Sequence, residues 1–154
     1  MLLTGSGGLL GSAVLTQLQK EGYTVESFDG DIRDRQSCVR YENKQYDWVI
    51  HMAAMTNVGE CENNPTECEA VNAHGTENLV SLARKIDARF LYISTVSVFS
   101  GEQGDYKESD TPQPMNAYNV SKYHGESAVL QYEKGIVLRL NLIGVHPNGS
   151  RGRN

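Results

Sequence analysis

What this chain of 154 residues has little of narrows its class first. Its three cysteines, Cys38, Cys61 and Cys68, are odd in number and lack Cys-x-x-Cys spacing, which argues against both a disulfide framework and a zinc site, so no metal is expected. No apolar run approaches the roughly 20 residues that a membrane span needs. Met1 to Leu3 does not open a signal peptide, because glycines interrupt it at once. These two absences lead to the expectation of a cytoplasmic protein with no membrane partner. Basic clusters are also missing, and the formal charge is -5, which argues against nucleic acid or an anionic membrane surface as the main partner. Nothing in the composition marks disorder. With 39% hydrophobic residues, the chain reads as one globular domain long enough to bury a substantial core.

Leu2-Leu3-Thr4 is a short apolar start that runs into Gly5-Ser6-Gly7-Gly8-Leu9-Leu10-Gly11, after which Ala13, Val14, Leu15 and Leu18 recur at helical spacing. The pattern is strand, glycine turn, helix. Such a turn bends sharply, brings backbone N–H groups up to a pyrophosphate at the helix N-terminus and packs the helix closely on the strand. Tyr23 to Phe28 is expected to form a second strand, followed by Asp29-Gly30-Asp31-Ile32-Arg33-Asp34. A carboxylate roughly 20 positions after a glycine turn is where a dinucleotide fold holds the adenosine ribose, and both Asp29 and Asp31 qualify. The same carboxylate would repel a 2′-phosphate while Arg33 or Arg35 would attract one, so the choice between NAD and NADP stays open. Asp34 is placed to cap a helix beginning at Arg35.

Trp48 to His51 is an apolar strand that ends in Met52-Ala53-Ala54, small residues that leave room for a cofactor where doubly wound sheets bind ligands. Glu67 to Ile86 reads as one long helix with Val71, Leu79, Leu82 and Ala83 inward and with Asn72 and His74 as polar positions. Phe90 to Ile93 is a further buried strand that delivers Ser94 and Thr95 at its carboxyl end, and Ile136 to Leu140 is another. Strand and helix alternate throughout. With right-handed crossovers this gives an α/β fold, a parallel doubly wound sheet with helices on both faces.

Between the last two strands, Ala117 to Gly125 places Tyr118 and Lys122 four residues apart, on one face of a helix. A phenol titrates near ~10 in water, and a fixed ammonium beside it favours the phenolate, bringing proton exchange toward working pH.

The glycine turn, His51-Met52-Ala53-Ala54, the pair Ser94-Thr95 and Tyr118-x-x-x-Lys122 occur here in an order and spacing that resemble the extended short-chain dehydrogenase/reductase superfamily. Within it, the passage from Phe99 through Gly101, Gly104, Tyr106, Glu108, Asp110, Pro112, Pro114 and Asn116 to Tyr118, Ser121, Lys122, Gly125 and Glu126 resembles the dTDP-4-dehydrorhamnose reductases and their sugar-nucleotide relatives. The resemblance implies a Rossmann-like domain over residues 1–154. It also implies a nicotinamide dinucleotide, NAD or NADP, held by Gly5, Gly8, Leu9, Leu10, Gly11, Asp31, Ile32, Met52, Ala53, Ala54, Tyr118 and Lys122. Catalysis would fall to Thr95, Tyr118 and Lys122: Tyr118 protonates the sugar oxygen, Lys122 holds the nicotinamide ribose and depresses the tyrosine pKa, and Thr95 hydrogen-bonds the substrate carbonyl. Thr95, Val96 and Asn141 would touch a sugar nucleotide. A homodimer is left open.

Val96-Ser97 stand where 4,6-dehydratases carry an acid and a base, which argues against dehydration, and Asn119 stands where the reductases commonly have glycine. A nucleotide-sugar epimerase and a non-catalytic dinucleotide-binding regulatory subunit are the alternatives. His51, His74, His124 and His146 match no catalytic role and are read as surface or satisfied packing residues. Pro147 to Asn154 reads as the loop into a smaller substrate-closing region, so the chain is expected to be a fragment lacking that region.

Overall fold

The computed structural model describes residues 1–142. Along them run β1 (Leu2–Thr4), α1 (Leu9–Lys20), β2 (Glu26–Ser27), α2 (Arg35–Val39), β3 (Trp48–His51), α3 (Val58–Asn63), α4 (Pro65–Glu69), α5 (Gly75–Lys85), β4 (Arg89–Thr95), α6 (Ala117–Leu130) and β5 (Gly135–Leu140). The five strands form one parallel sheet in the order β2-β1-β3-β4-β5. From β1 the chain moves one way to β2, and from β2 onward it moves the other way. Right-handed crossovers therefore put α1 on one face and α2, α5 and α6 on the other, where α5 packs against both α2 and α6. The carboxyl ends of β1 and β3 part at this reversal and open a crevice.

Burial follows the sequence pattern. The inner strands are apolar on the face toward α5 and α6, with Leu2, Val49, Phe90 and Tyr92 fully buried against Leu79, Val80, Leu82 and Ala83 of α5. Each such side chain removed from water contributes about 1.5–3 kcal/mol. β5 lies at the sheet edge, and Ile136 and Leu138 on it are exposed. Gly125 is the contact that lets α6 approach the sheet, since a Cβ there would lie 2.5 Å from the Tyr92 hydroxyl and 2.7 Å from the Asn72 carbonyl.

Three expected elements differ in detail. The second strand pairs only at Glu26 and Ser27, because Tyr23 is exposed and the ladder to β1 holds two residues. The long helix of 67–86 begins at Pro65 and is divided into α4 and α5 by a π turn, Ala70–His74. The Asn72 carbonyl lies within this turn. It accepts from Thr76 Oγ1 at 2.6 Å and Tyr92 Oη at 3.3 Å. Asn72 itself is therefore a buried junction rather than one polar position of a helix face. Asp34 does cap α2, accepting from the Gln36 amide at 3.0 Å. His146 and the segment 147–154 lie outside the described residues.

Candidate active site

The turn after β1 is built from backbone contact. Gly5 has φ of 71°, and a Cβ on it would sit 2.6 Å from the Ala53 amide; one on Gly11 would sit 2.0 Å from the Gly5 carbonyl oxygen. The β1 turn, the end of β3 and the start of α1 thus interlock only because these positions carry no side chain. Gly8 precedes α1 without a side-chain cap, and the first turn holds no acidic residue. The N–H groups of Leu9, Leu10 and Gly11 and the positive end of the helix dipole are left facing the cleft, a cradle suited to a pyrophosphate.

His51 organises the loop beside it. Thr76 Oγ1 donates to the Asn72 carbonyl, so it can only accept from His51 Nε2, 3.0 Å away. Nε2 therefore carries the proton, and Nδ1 accepts from Thr4 Oγ1 at 2.7 Å. That leaves Thr4 Oγ1 to accept from the Met52 and Ala53 amides, each at 3.2 Å. Full burial holds the imidazole pKa well below its ordinary value, so the ring is neutral. As expected, His51 is a satisfied packing residue, while His74 and His124 are exposed.

α6 begins at Asn116, whose Oδ1 accepts from the Asn119 amide at 2.8 Å. Its inward face carries Tyr118, Lys122 and Glu126, one turn apart. Lys122 is only 2% exposed; its Nζ donates to the Ile93 carbonyl at 2.8 Å and lies 4.0 Å from the centre of the Tyr92 ring. Burial pushes its pKa down to about 7. Among the described residues the Tyr118 hydroxyl has no hydrogen-bond partner, and burial first, then the thiols of Cys61 and Cys68, push its pKa up. The expectation that Lys122 lowers the tyrosine pKa is not met in this arrangement, because the ammonium faces the Ile93 carbonyl and is itself half neutral near pH 7. Thr95 Oγ1 accepts from the Ser97 amide at 3.1 Å, which leaves its own proton free to donate.

Behind the tyrosine, Asn72 ties three elements together. Its Nδ2 donates to the Met55 carbonyl and to Ser121 Oγ, each at 2.9 Å, while Oδ1 accepts from the Met55 amide at 2.9 Å. The loop after β3 is thereby fixed to the helix that carries Tyr118 and Lys122.

A cleft of about 560 Å³ is lined by Gly5, Gly8, Leu9, Leu10, Gly11, Met52, Ala53, Ala54, Thr95, Tyr118, Lys122 and Asn141. Every expected site residue is there except three. Asp31 lies outside the lining, paired with the Arg33 guanidinium, which holds its carboxyl below the usual range. Ile32 is buried in the core, where its side chain packs against Gly75; Val96 is exposed in the 3₁₀ turn Val96–Val98. Thr56, Val58, Ser97, Asn116 and Asn119 also line the cleft and were not among the expected site residues, although Ser97, Asn116 and Asn119 were noted in the sequence. The usable signal was their nearness in sequence: Asn116 and Asn119 flank Tyr118, and Thr56 follows the Met52-Ala53-Ala54 segment.

These features define a Rossmann-like α/β domain of the extended short-chain dehydrogenase/reductase kind. The chain belongs to the RmlD substrate binding domain family, whose match covers residues 1–149. It is 36% identical over 84% of its length, and 41% of the other protein, to a dTDP-4-dehydrorhamnose reductase of Mycolicibacterium smegmatis. To methionine adenosyltransferase 2 subunit beta of Bos taurus it is 31% identical over 93% of this chain and 46% of that one. Among solved structures, dTDP-4-dehydrorhamnose reductase from Bacillus anthracis in complex with NADP superposes with a TM-score of 0.85 at 31% identity, covering 90% of this chain and 51% of that chain. The chain spans about half the length of the curated relatives it matches. No helix among the described residues is long and apolar enough to cross a membrane.

Proposed function

We propose that the full-length protein is an NAD(P)-dependent sugar-nucleotide reductase, acting on a 4-keto sugar nucleotide such as dTDP-4-dehydrorhamnose, and that this chain contributes its dinucleotide-binding and proton-transfer half. The observation that carries the reading is the single cleft in which a side-chain-free helix start, Thr95 and the Tyr118–Lys122 pair converge. The glycine cradle fits a dinucleotide pyrophosphate, and Met52, Ala53 and Ala54 leave space beside it. When bound, the reduced dinucleotide supplies the hydride. As negative charge grows on the substrate carbonyl oxygen, Thr95 Oγ1 donates a hydrogen bond to it and Tyr118 Oη delivers the proton. Lys122 turns from Ile93 toward the ribose and phenol, and its charge favours the phenolate left behind. Asp31 lies outside the cleft lining and is paired with the Arg33 guanidinium, so it does not bar a 2′-phosphate. The NADP in the Bacillus anthracis relative supports the phosphorylated form. A cytoplasmic location goes with this reading.

The test is oxidation of NADPH and NADH by the full-length protein against a panel of 4-keto sugar nucleotides, followed by absorbance at the nicotinamide band. Turnover with one of them supports the proposal. A second reading, a dinucleotide-binding subunit without turnover, is favoured by the similarity to methionine adenosyltransferase 2 subunit beta. It predicts tight cofactor binding and no oxidation with any sugar.

A further inference from the structure

Glu126 is a fully buried carboxylate that the proposed reaction does not use. It sits on α6 one turn beyond Lys122, and three donors converge on it: Ser94 Oγ at 2.5 Å, Arg139 Nε at 3.0 Å and Arg139 Nη2 at 2.7 Å. Ser94 immediately precedes Thr95 in β4, and Arg139 in β5 immediately precedes Leu140 and Asn141, which line the cleft. The guanidinium also lies 4.9 Å from the Phe99 ring, which stacks on Tyr106 at 4.5 Å, and the Tyr106 hydroxyl accepts from the Gly101 amide at 3.1 Å. One buried carboxylate therefore fastens the carboxyl ends of two strands, and the loop after β4, to the helix that holds Tyr118 and Lys122.

We infer that Glu126 is a positioning residue of this site: it sets Thr95 and Asn141 against Tyr118, and it supplies the fixed negative charge that the buried Lys122 ammonium otherwise lacks. This rests on the function proposed above. The groups that face Lys122 are His51 on β3, Tyr92 on β4, Cys68 on α4, and Tyr118 and Glu126 on α6, with Arg139 of β5 behind Glu126 and Cys61 of α3 beside Tyr118. His51 is neutral, and the Tyr92 and Tyr118 phenols and the Cys61 thiol, at about 12, are all pushed up and stay protonated. Glu126 is the carboxylate whose field raises the Lys122 pKa against its burial. Removing its charge takes away the field that raises the Lys122 pKa and drives the lysine toward neutrality.

The experiment uses the full-length protein and three forms: wild type, Glu126→Gln, and the double variant Glu126→Gln/Arg139→Met. The affinity for NADPH is measured by calorimetry from pH 6 to pH 9, and kcat and KM for the keto sugar at each pH. In wild type the affinity declines as Lys122 loses its proton. In Glu126→Gln this decline moves to lower pH by about one unit. In the double variant it stays at the lower pH, because the carboxylate that raises the Lys122 pKa is missing there too. In both variants kcat falls about 10-fold or more while the low-pH cofactor affinity changes little, because Thr95 has lost its anchor. The double variant guards against misfolding, since removing a whole buried pair is tolerated where breaking it is not. If the pH decline stays in place in Glu126→Gln, or kcat recovers fully in the folded double variant, Glu126 is a packing residue and the inference is overturned. If wild type binds NADPH at no pH, the proposed function fails and this inference with it; NADPH binding with an unmoved profile overturns the inference alone.

Discussion

Lys122→Met should stabilise the fold while disabling the site. The ammonium is buried on every side, and burial lowers its pKa from the usual 10.5 to about 7. The unfolded chain therefore binds a proton more tightly than the folded one between these two values, and folding is penalised below pH 10.5. Each pH unit between the two pKa values corresponds to about 1.4 kcal/mol, so the penalty is about 4–5 kcal/mol at pH 7 or below and about 2 kcal/mol at pH 9. Against it stand the bond to the Ile93 carbonyl, worth about 1 kcal/mol, and the contact with the Tyr92 ring, worth about 1 kcal/mol. Methionine keeps the length and apolar stem without the charge. The variant should accordingly be more stable than wild type by about 2 kcal/mol at pH 7, with the difference shrinking toward zero by pH 9. Urea denaturation of the two full-length proteins at pH 6.5, 7.5 and 9, followed by far-ultraviolet circular dichroism, measures this directly. The same variant should bind NADPH more weakly, because no charge remains to meet the ribose. A variant less stable than wild type at pH 7, or a difference constant across the series, would refute the reasoning.

Tyr118→Phe keeps the ring but removes the proton, so in the full-length protein kcat should drop about 10²- to 10⁴-fold with cofactor affinity nearly unchanged; near-normal turnover would make the tyrosine a packing residue. Gly8→Val meets only the Gly5 carbonyl oxygen, at 3.3 Å from its Cβ, so the fold should persist while the side chain crowds the pyrophosphate cradle. Calorimetry should show at least about a 10-fold loss of NADPH affinity, and unchanged affinity would place the phosphates elsewhere. His51 is buried neutral, with its pKa depressed, so the unfolded chain gains a proton first as pH falls below ~6.5. Stability present above that pH should decline toward pH 5 by up to about 1.4 kcal/mol per unit. His51→Gln should lose that part of the slope; denaturation midpoints that keep the wild-type slope would show that the imidazole is not the cause.

Local sequence determined most of the fold and the chemistry of the cleft. The glycines of the first turn read correctly because a bare backbone is the only way to interlock a strand, a helix start and a second strand, as Gly5 and Gly11 do. The four-residue spacing of Tyr118 and Lys122 fixed their common face because helical periodicity is a property of the backbone alone. The tertiary structure decided the rest, wherever the outcome depended on what lies opposite. Asn72 looked like any polar helix residue until a π turn and two distant segments closed around it. Ile32, expected at the dinucleotide site by resemblance, has its side chain in the core, where it fills the gap at Gly75. The protonation of Lys122 followed from neither spacing nor motif, since a pKa records the dielectric and the charges around a group. Those are supplied by Tyr92, His51 and Glu126, residues that only folding brings to one place.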